Sequence, residues 1–248
     1  MPGPLSRTRK PGIGTSFSGY AGRHEVQDHQ VQCLLIRSGR AVPVYASRHP
    51  LARDMVSRLR STDTDSAAFR ALTRELATIL TYEATIDLPL DPISVRTPLA
   101  ETRGERLAAR IGLVPILRAG LGMVDGALAL LPRAAVFHLG FYRDETTLRP
   151  ISYYNKLPPS PPVDMCLVLD PMLATGGSIA AAIDALVESG IQRISVLALI
   201  AAPEGLAAVG SRHPTIDIHV AAIDDRLNDR GYIIPGLGDA GDRLYGTP

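Results

Sequence analysis

Nine consecutive residues bring together an acidic group, two hydroxyls and paired glycines: Asp170, Pro171, Met172, Leu173, Ala174, Thr175, Gly176, Gly177 and Ser178. Glycines let a backbone come close to a ligand, and consecutive free N–H groups ahead of a helix attract an anion. The Thr175 and Ser178 hydroxyls add donors. No lysine precedes Ser178, so the Walker-type nucleotide loop is absent, and no G-x-G-x-x-G fingerprint occurs in this stretch. A carboxylate in front of the loop suits a ligand with sugar hydroxyls beside a phosphate. Asp170 could accept from vicinal ribose hydroxyls while residues 174–178 hold a 5′-phosphate. An ordinary strand-to-helix turn with a hydroxyl cap explains Thr-Gly-Gly-Ser alone; Asp170 and Pro171 in front of it favour the ligand site.

The elements around this loop are those such a site needs. Residues 166–169 form a short apolar run, read as a buried strand of a parallel sheet, and Pro171 cannot continue its ladder. Residues 179–188 are periodic and stop at Gly190, a good C-terminal cap. A second strand–turn–helix unit covers 111–117 and 121–131, with Arg118 at the strand's carboxyl end, where ligands sit in open α/β sheets. A third strand is expected over 134–141. A hairpin follows, with Arg143 in its stem, Lys156 near its return and a proline-rich stretch at 158–162. Strands at 194–202 and 216–223 flank a helix that Pro203 opens. Phe69, Leu72, Leu76, Ile79 and Leu80 recur at helical spacing behind a cap at Asp65 or Ser66. Alternating strands and helices predict an α/β fold with a doubly wound, mainly parallel sheet. His213 and His219 read as packing residues.

The tail from Asp224 shows neither helical nor strand periodicity. Gly231, Gly236, Gly238 and Gly241 surround Ile233, Ile234 and Pro235. Repeated glycines with interleaved apolar residues describe a backbone folded against something small and flat. A pyrimidine edge, with O2, N3–H and O4, matches backbone N–H and C=O groups.

The loop at 170–178 resembles the phosphoribosyl-pyrophosphate signature of type I phosphoribosyltransferases. Most of that superfamily has two adjacent acidic residues where this chain has Asp-Pro, and the Asp-Pro form is similar to the uracil phosphoribosyltransferase branch. Residues 114–123 (Val-Pro-Ile-Leu-Arg-Ala-Gly-Leu-Gly-Met) and 231–242 (Gly-Tyr-Ile-Ile-Pro-Gly-Leu-Gly-Asp-Ala-Gly-Asp) extend the likeness. It runs from about His49 to the C-terminus. The resemblance implies transfer of phosphoribose from 5-phosphoribosyl 1-pyrophosphate to uracil, giving UMP and pyrophosphate. It implies Arg118 and Arg143 on the pyrophosphate, the 170–178 loop on the ribose phosphate, and Ile233, Gly238, Asp239 and Ala240 on uracil. Asp239 also reaches the sugar–pyrophosphate side through magnesium or water. Mg²⁺ would come mainly with pyrophosphate and water. A mobile hairpin lid would keep water from the reacting sugar. Lys156 is a weaker candidate for the ligand. The family also implies a homo-oligomer, with the helix around 63–85 near a subunit contact, and a GTP effector in some members.

Composition bounds the alternatives. The 248 residues carry 26 Lys and Arg against 25 Asp and Glu, a net charge of +1, which argues against a general attraction to nucleic acid. An RNA-binding regulator on the same fold would show a clustered basic face, whereas these cations are spread along the chain. A purine or orotate phosphoribosyltransferase would share the phosphate loop but not the C-terminal motif. Six histidines and two cysteines lack zinc-site spacing. Cys33 and Cys166 suit a reduced cytoplasmic compartment, and no apolar run approaches the roughly 20 residues of a membrane span. Residues 1–48 are basic and rich in glycine and proline, with one strand candidate at 31–36. They read as a targeting or anion-contacting arm, as a poorly ordered extension, or as translation assigned upstream of the true start, and are given no function, ahead of a phosphoribosyltransferase domain at 49–248.

Overall fold

The computed structural model describes residues 32–35, 41–143 and 150–247. In chain order the elements are β1 (Gln32–Leu35), β2 (Ala41–Ala46), α1 (Pro50–Arg60), α2 (Ser66–Ala84), β3 (Leu90–Arg96) and β4 (Glu101–Leu107). There follow β5 (Ile111–Leu117), α3 (Leu121–Leu130), β6 (Ala135–Val136), β7 (Leu139–Arg143), β8 (Pro150–Asn155), β9 (Met165–Leu169) and β10 (Met172–Leu173). The chain ends with α4 (Gly177–Glu188), β11 (Arg193–Ala201), α5 (Pro203–Arg212), β12 (Asp217–Ile223), β13 (Arg226–Leu227), β14 (Ile233–Ile234) and α6 (Ala240–Tyr245).

The central sheet runs β1-β2-β12-β11-β9-β5-β7-β8. Its interior pairs are parallel, and the β1–β2 and β7–β8 edge pairs are antiparallel. Side-chain alternation in the apolar strands supplies both faces. Met165, Leu167 and Leu169 of β9 join the core under α2 and α3, while Cys166 and Val168 join the core under α4 and α5. In β5, Ile111 and Leu113 face one way and Val114 and Ile116 the other. Both faces are covered by helices, as a doubly wound fold requires.

Local signals account for the helices. Asp65 caps α2 by accepting from the Ala68 N–H at 2.8 Å. Its Phe69, Leu72, Leu76 and Leu80 are buried on one stripe. Helix α3 packs close on α2 because it presents glycines there: a Cβ on Gly126 would lie 2.1 Å from the Arg74 carbonyl. At the end of α4, Gly190 takes φ +93 and its N–H bonds to the Val187 carbonyl, with Ile191 to Leu186. Pro203 opens α5 at its first turn. His219 is buried and stacked on Tyr45 at 4.6 Å between ring centroids, and His213 lies 3.1 Å from Asp184, so both pack as expected.

The structure departs from the sequence expectations in several places. The strand expected at 134–141 is two, β6 pairing with Gly112 and Leu113 and β7 with Ile116 and Leu117. The interruption falls opposite Val114 and Pro115, where proline has no N–H to give a ladder. The tail contains α6, a helix too short for its periodicity to register in sequence, started by Asp239 and stopped by Gly246 at φ +66. Strand β2 pairs in parallel with β12, so the sheet takes in residues ahead of the His49 position at which the sequence likeness begins. Helix α1, with Pro50 at its start and the His49 ring accepting from the Leu51 N–H, and the β3–β4 hairpin also went unread in sequence.

Candidate active site

The sheet reverses its winding between β5 and β9. From β5 the chain crosses through α3 to β6 and β7; from β9 it crosses through α4 to β11 on the other side, and the two helices lie on opposite faces. Such a switch point leaves a crevice at the strands' carboxyl ends, the usual ligand position in open α/β sheets. A cleft of about 220 Å³ opens there, lined by Arg118, Ala119, Asp170, Met172, Asp239, Ala240 and Gly241.

Arg118 follows β5 across a cis Leu117–Arg118 peptide. The turn behind it is tight: a Cβ on Gly120 would sit 2.3 Å from the Leu169 carbonyl and 2.6 Å from the Ile116 nitrogen, so only glycine brings this loop against β9. The guanidinium is mostly exposed and lies 3.4 Å from Asp242, while the Tyr245 hydroxyl donates to the Arg118 carbonyl at 3.1 Å. The cation thus faces the cleft from a backbone tied to the tail helix.

Asp170 ends β9. Burial raises its carboxyl to about 7, opposed by a long hydrogen bond, 3.4 Å, from the Met172 N–H. Pro171 is buried, its carbonyl accepting from the Leu199 and Ile200 N–H groups at 3.0 and 3.1 Å, so β10, with Met172 and Leu173, runs beside β11. The loop continues through Ala174 and Thr175 to Gly176, which takes φ +80 and starts α4 with Gly177 and Ser178. The first amides of α4 have no partner within the helix, and its dipole adds positive potential there. The loop is held from behind by α5: a Cβ on Gly205 would lie 2.3 Å from the Ala174 carbonyl.

In the tail, Asp239 caps α6, its Oδ1 accepting from the Asp242 N–H at 3.0 Å, and the residue lines the same cleft as Asp170. Ala240 lines it too. Ile233 is buried in the core, so any contact it makes with a ligand is through its backbone; Gly238 is exposed at φ +81. The β13–β14 ribbon that presents them is capped by Asn228, whose Oδ1 accepts from Arg230 and Tyr232 N–H groups, and is tied to α5 where Leu227 N–H donates to Glu204 at 3.0 Å.

The structure therefore gathers Arg118, Asp170, Met172, Asp239 and Ala240 on one cleft. Lys156 is exposed at the end of the β7–β8 hairpin and is not among the lining residues. Arg143 ends β7, but its side chain, like residues 144–149 of the hairpin, lies outside the described residues. Sequence reasoning missed a supporting set. Arg243 donates to the carbonyls of Leu59, Leu237, Ser61 and Thr64 and lies 4.4 Å over the Phe69 ring. Arg60 and Asp224 form a second anchor. A carboxylate at the carboxyl end of β12 was the readable signal for Asp224; nothing marked Arg60.

Among the described residues no cluster of three or more His, Cys, Asp or Glu side chains could hold a metal ion by itself. Two carboxylates, Asp170 and Asp239, face one cleft. That donor set suits Mg²⁺, which keeps waters and binds through one or two carboxylates and substrate phosphates. Among these residues no helix is long and apolar enough to cross a membrane.

Comparison with known proteins places this geometry. Residues 46–247 match the family model for uracil phosphoribosyltransferase. The chain is 60% identical over 204 residues to a uracil phosphoribosyltransferase of Roseiflexus castenholzii, covering 82% of this chain and 98% of that one. It is 51% identical over 205 residues to the protein of the same name in Geobacillus kaustophilus, with the same coverage. The solved structure of the AQ2163 protein from Aquifex aeolicus superposes with a TM-score of 0.78 at 41% identity, over 82% of this chain and 97% of that one. With a family match across four-fifths of its length and the three motifs meeting at one switch point, the chain belongs to the uracil phosphoribosyltransferase family.

Proposed function

We propose that this protein transfers the 5-phosphoribosyl group of 5-phosphoribosyl 1-pyrophosphate to N1 of uracil, releasing pyrophosphate and forming UMP. The observation that carries the reading is convergence: Arg118, Asp170 and Asp239, from three separate stretches of sequence, line one cleft. The C1′–O bond to pyrophosphate breaks as N1–C1′ forms, the N1 proton passes to the departing pyrophosphate or to water, and the sugar passes through a state with oxocarbenium character. Two things lower that barrier, charge on the leaving group and a fixed geometry for N1.

Arg118 supplies preorganised positive charge on the pyrophosphate side, with Arg143 as its partner from the hairpin. The amides and hydroxyls of 174–178 at the start of α4 hold the 5′-phosphate. Asp170, ionised, accepts from the ribose hydroxyls. Backbone groups of Ile233 and of Gly238 to Ala240 read the uracil edge. Cytosine reverses two of those hydrogen bonds, and a buried reversal of this kind can reach about 10⁴-fold discrimination. Mg²⁺, arriving with pyrophosphate and water, supplies further charge neutralisation of the leaving group when bound. No nucleophilic side chain is required.

A homo-oligomer is the second part of the proposal. Among the described residues the β3–β4 hairpin pairs only with itself, and nearly all of both strands is exposed, including Leu90, Val95 and Leu107, with Leu99 97% exposed at the turn. A lone two-stranded hairpin is marginal in water, so a second copy of the chain is the partner that would bury it. A reducing, cytoplasmic setting agrees with a Cys166 that is free and buried.

The test is initial velocity with phosphoribosyl pyrophosphate and Mg²⁺ over a panel of uracil, cytosine, orotate, hypoxanthine and adenine, each with and without GTP. Uracil-only turnover, reduced in Asp239→Asn and Arg143→Ala, is the expected result. Silence with every base would refute the reaction, and a GTP-independent rate would remove GTP as an effector.

A further inference from the structure

We infer that Arg60 and Asp224, both outside the signature motifs, are positioning residues that set uracil affinity by clamping the base loop. Asp224 directly follows β12 and is 6% exposed. Its Oδ2 accepts from the Gly236 N–H at 2.9 Å and from Arg60 Nη1 at 2.8 Å, while Arg60 Nη2 donates to Oδ1. The same Arg60 Nη1 donates to the Gly236 carbonyl at 2.8 Å. One ion pair thus holds both the N–H and the C=O of a single loop residue.

That residue is the pivot of the loop. Gly236 follows a cis Ile234–Pro235 bond, takes φ +67, and a Cβ there would lie 2.1 Å from the Ile233 carbonyl. Gly236 is held by the pair and the next carbonyl, that of Leu237, by Arg243, so the segment between Ile233 and Gly238 is tied down at two consecutive residues. Recognition by backbone depends on that, since a peptide group cannot adjust its reach as a side chain can. Preorganised contacts must hold within about 0.5 Å, and groups behind them supply that precision. Neither Arg60 nor Asp224 lines the cleft, so their effect reaches uracil only through the loop.

The inference rests on the base-loop reading above, and the experiment separates the two. Arg60→Lys keeps the charge but loses the two-pronged geometry. Arg60→Met with Asp224→Leu removes the pair without stranding a buried charge, a replacement that often preserves stability. Each variant is measured, beside wild type, for melting temperature, KM for uracil, KM for phosphoribosyl pyrophosphate, and amide exchange across 233–238. The expected result is folded variants whose uracil KM rises about tenfold or more, with the other KM little changed and the loop amides exchanging faster. A double variant that keeps wild-type stability, uracil KM and exchange overturns the clamp. Faster loop exchange in the variants, with no uracil turnover by the wild type, overturns the base reading and leaves the clamp standing.

Discussion

Replacing Asp170 with asparagine separates what this carboxylate does for the ligand from what it does to the fold. Burial raises its pKa from 3.8 to about 7 in the folded protein, and only the long bond from Met172 opposes the shift. The folded state therefore favours the protonated acid. The contribution of this one carboxyl to the stability of the ligand-free protein is full below about pH 4, falls as pH rises from 3.8 to about 7, and loses no more above that. At about 1.4 kcal/mol per tenfold, the ionised group costs about 4 kcal/mol at pH 8, a ceiling that water on the cleft side lowers to roughly 2–4 kcal/mol. Asparagine has the same shape and no charge. Urea denaturation followed by far-ultraviolet circular dichroism should find Asp170→Asn more stable than wild type by that amount at pH 8 and nearly equal to it at pH 4. The same variant should lose about 10- to 150-fold in kcat/KM for phosphoribosyl pyrophosphate, the value of charge-assisted bonds to the ribose hydroxyls. Parallel stability-versus-pH curves for the two proteins would refute the reasoning. So would a variant that is stabilised at pH 8 and fully active.

Two further perturbations test the supports around the site. In Gly205→Ala the new methyl would meet the Ala174 and Leu173 carbonyls at 2.3 and 2.8 Å, and backbone has to move. A cost of about 1–3 kcal/mol in a thermal melt and a tenfold or larger rise in KM for phosphoribosyl pyrophosphate are expected, with uracil KM little affected; unchanged kinetics would mean that α5 does not position the loop. Leu99→Glu places a charge at the fully exposed hairpin turn, and sedimentation velocity should show a smaller species than wild type. An identical sedimentation coefficient would show that the hairpin tip is not the contact.

Much of the site was legible in the chain because its chemistry is local. Asp170 to Ser178 is one strand end, one turn and one helix start, and residue type alone states each of these. Arg118 could be placed at a strand's carboxyl end for the same reason, since an apolar run followed by Arg-Ala-Gly describes the end of β5 without knowledge of any other element. The parallel sheet followed from strands that are apolar on both faces, a pattern only a sheet covered on two sides requires.

What sequence did not convey are relations between distant positions. That β5 and β9 are neighbours, with α3 and α4 on opposite faces, is decided by tertiary packing. It is this adjacency that makes one cleft of Arg118 and Asp170. The tail read as irregular because α6 spans only Ala240–Tyr245, less than two turns, and its stability comes from Leu244 against α3 and from Arg70 donating to the Leu244 carbonyl at 2.7 Å. Arg60 illustrates the limit most clearly. Helix α1 was itself unread, and even within it Arg60 is a cation of the last turn, a place where arginine is favoured for the helix dipole alone. Its partners Asp224 and Gly236 lie 164 and 176 residues away. Sequence by itself determined the chemistry each segment could perform, because that depends on residue type and spacing within a few residues. The tertiary structure decided which segments share a cleft and which side chains hold them still, because packing between elements, not propensity within them, sets those distances.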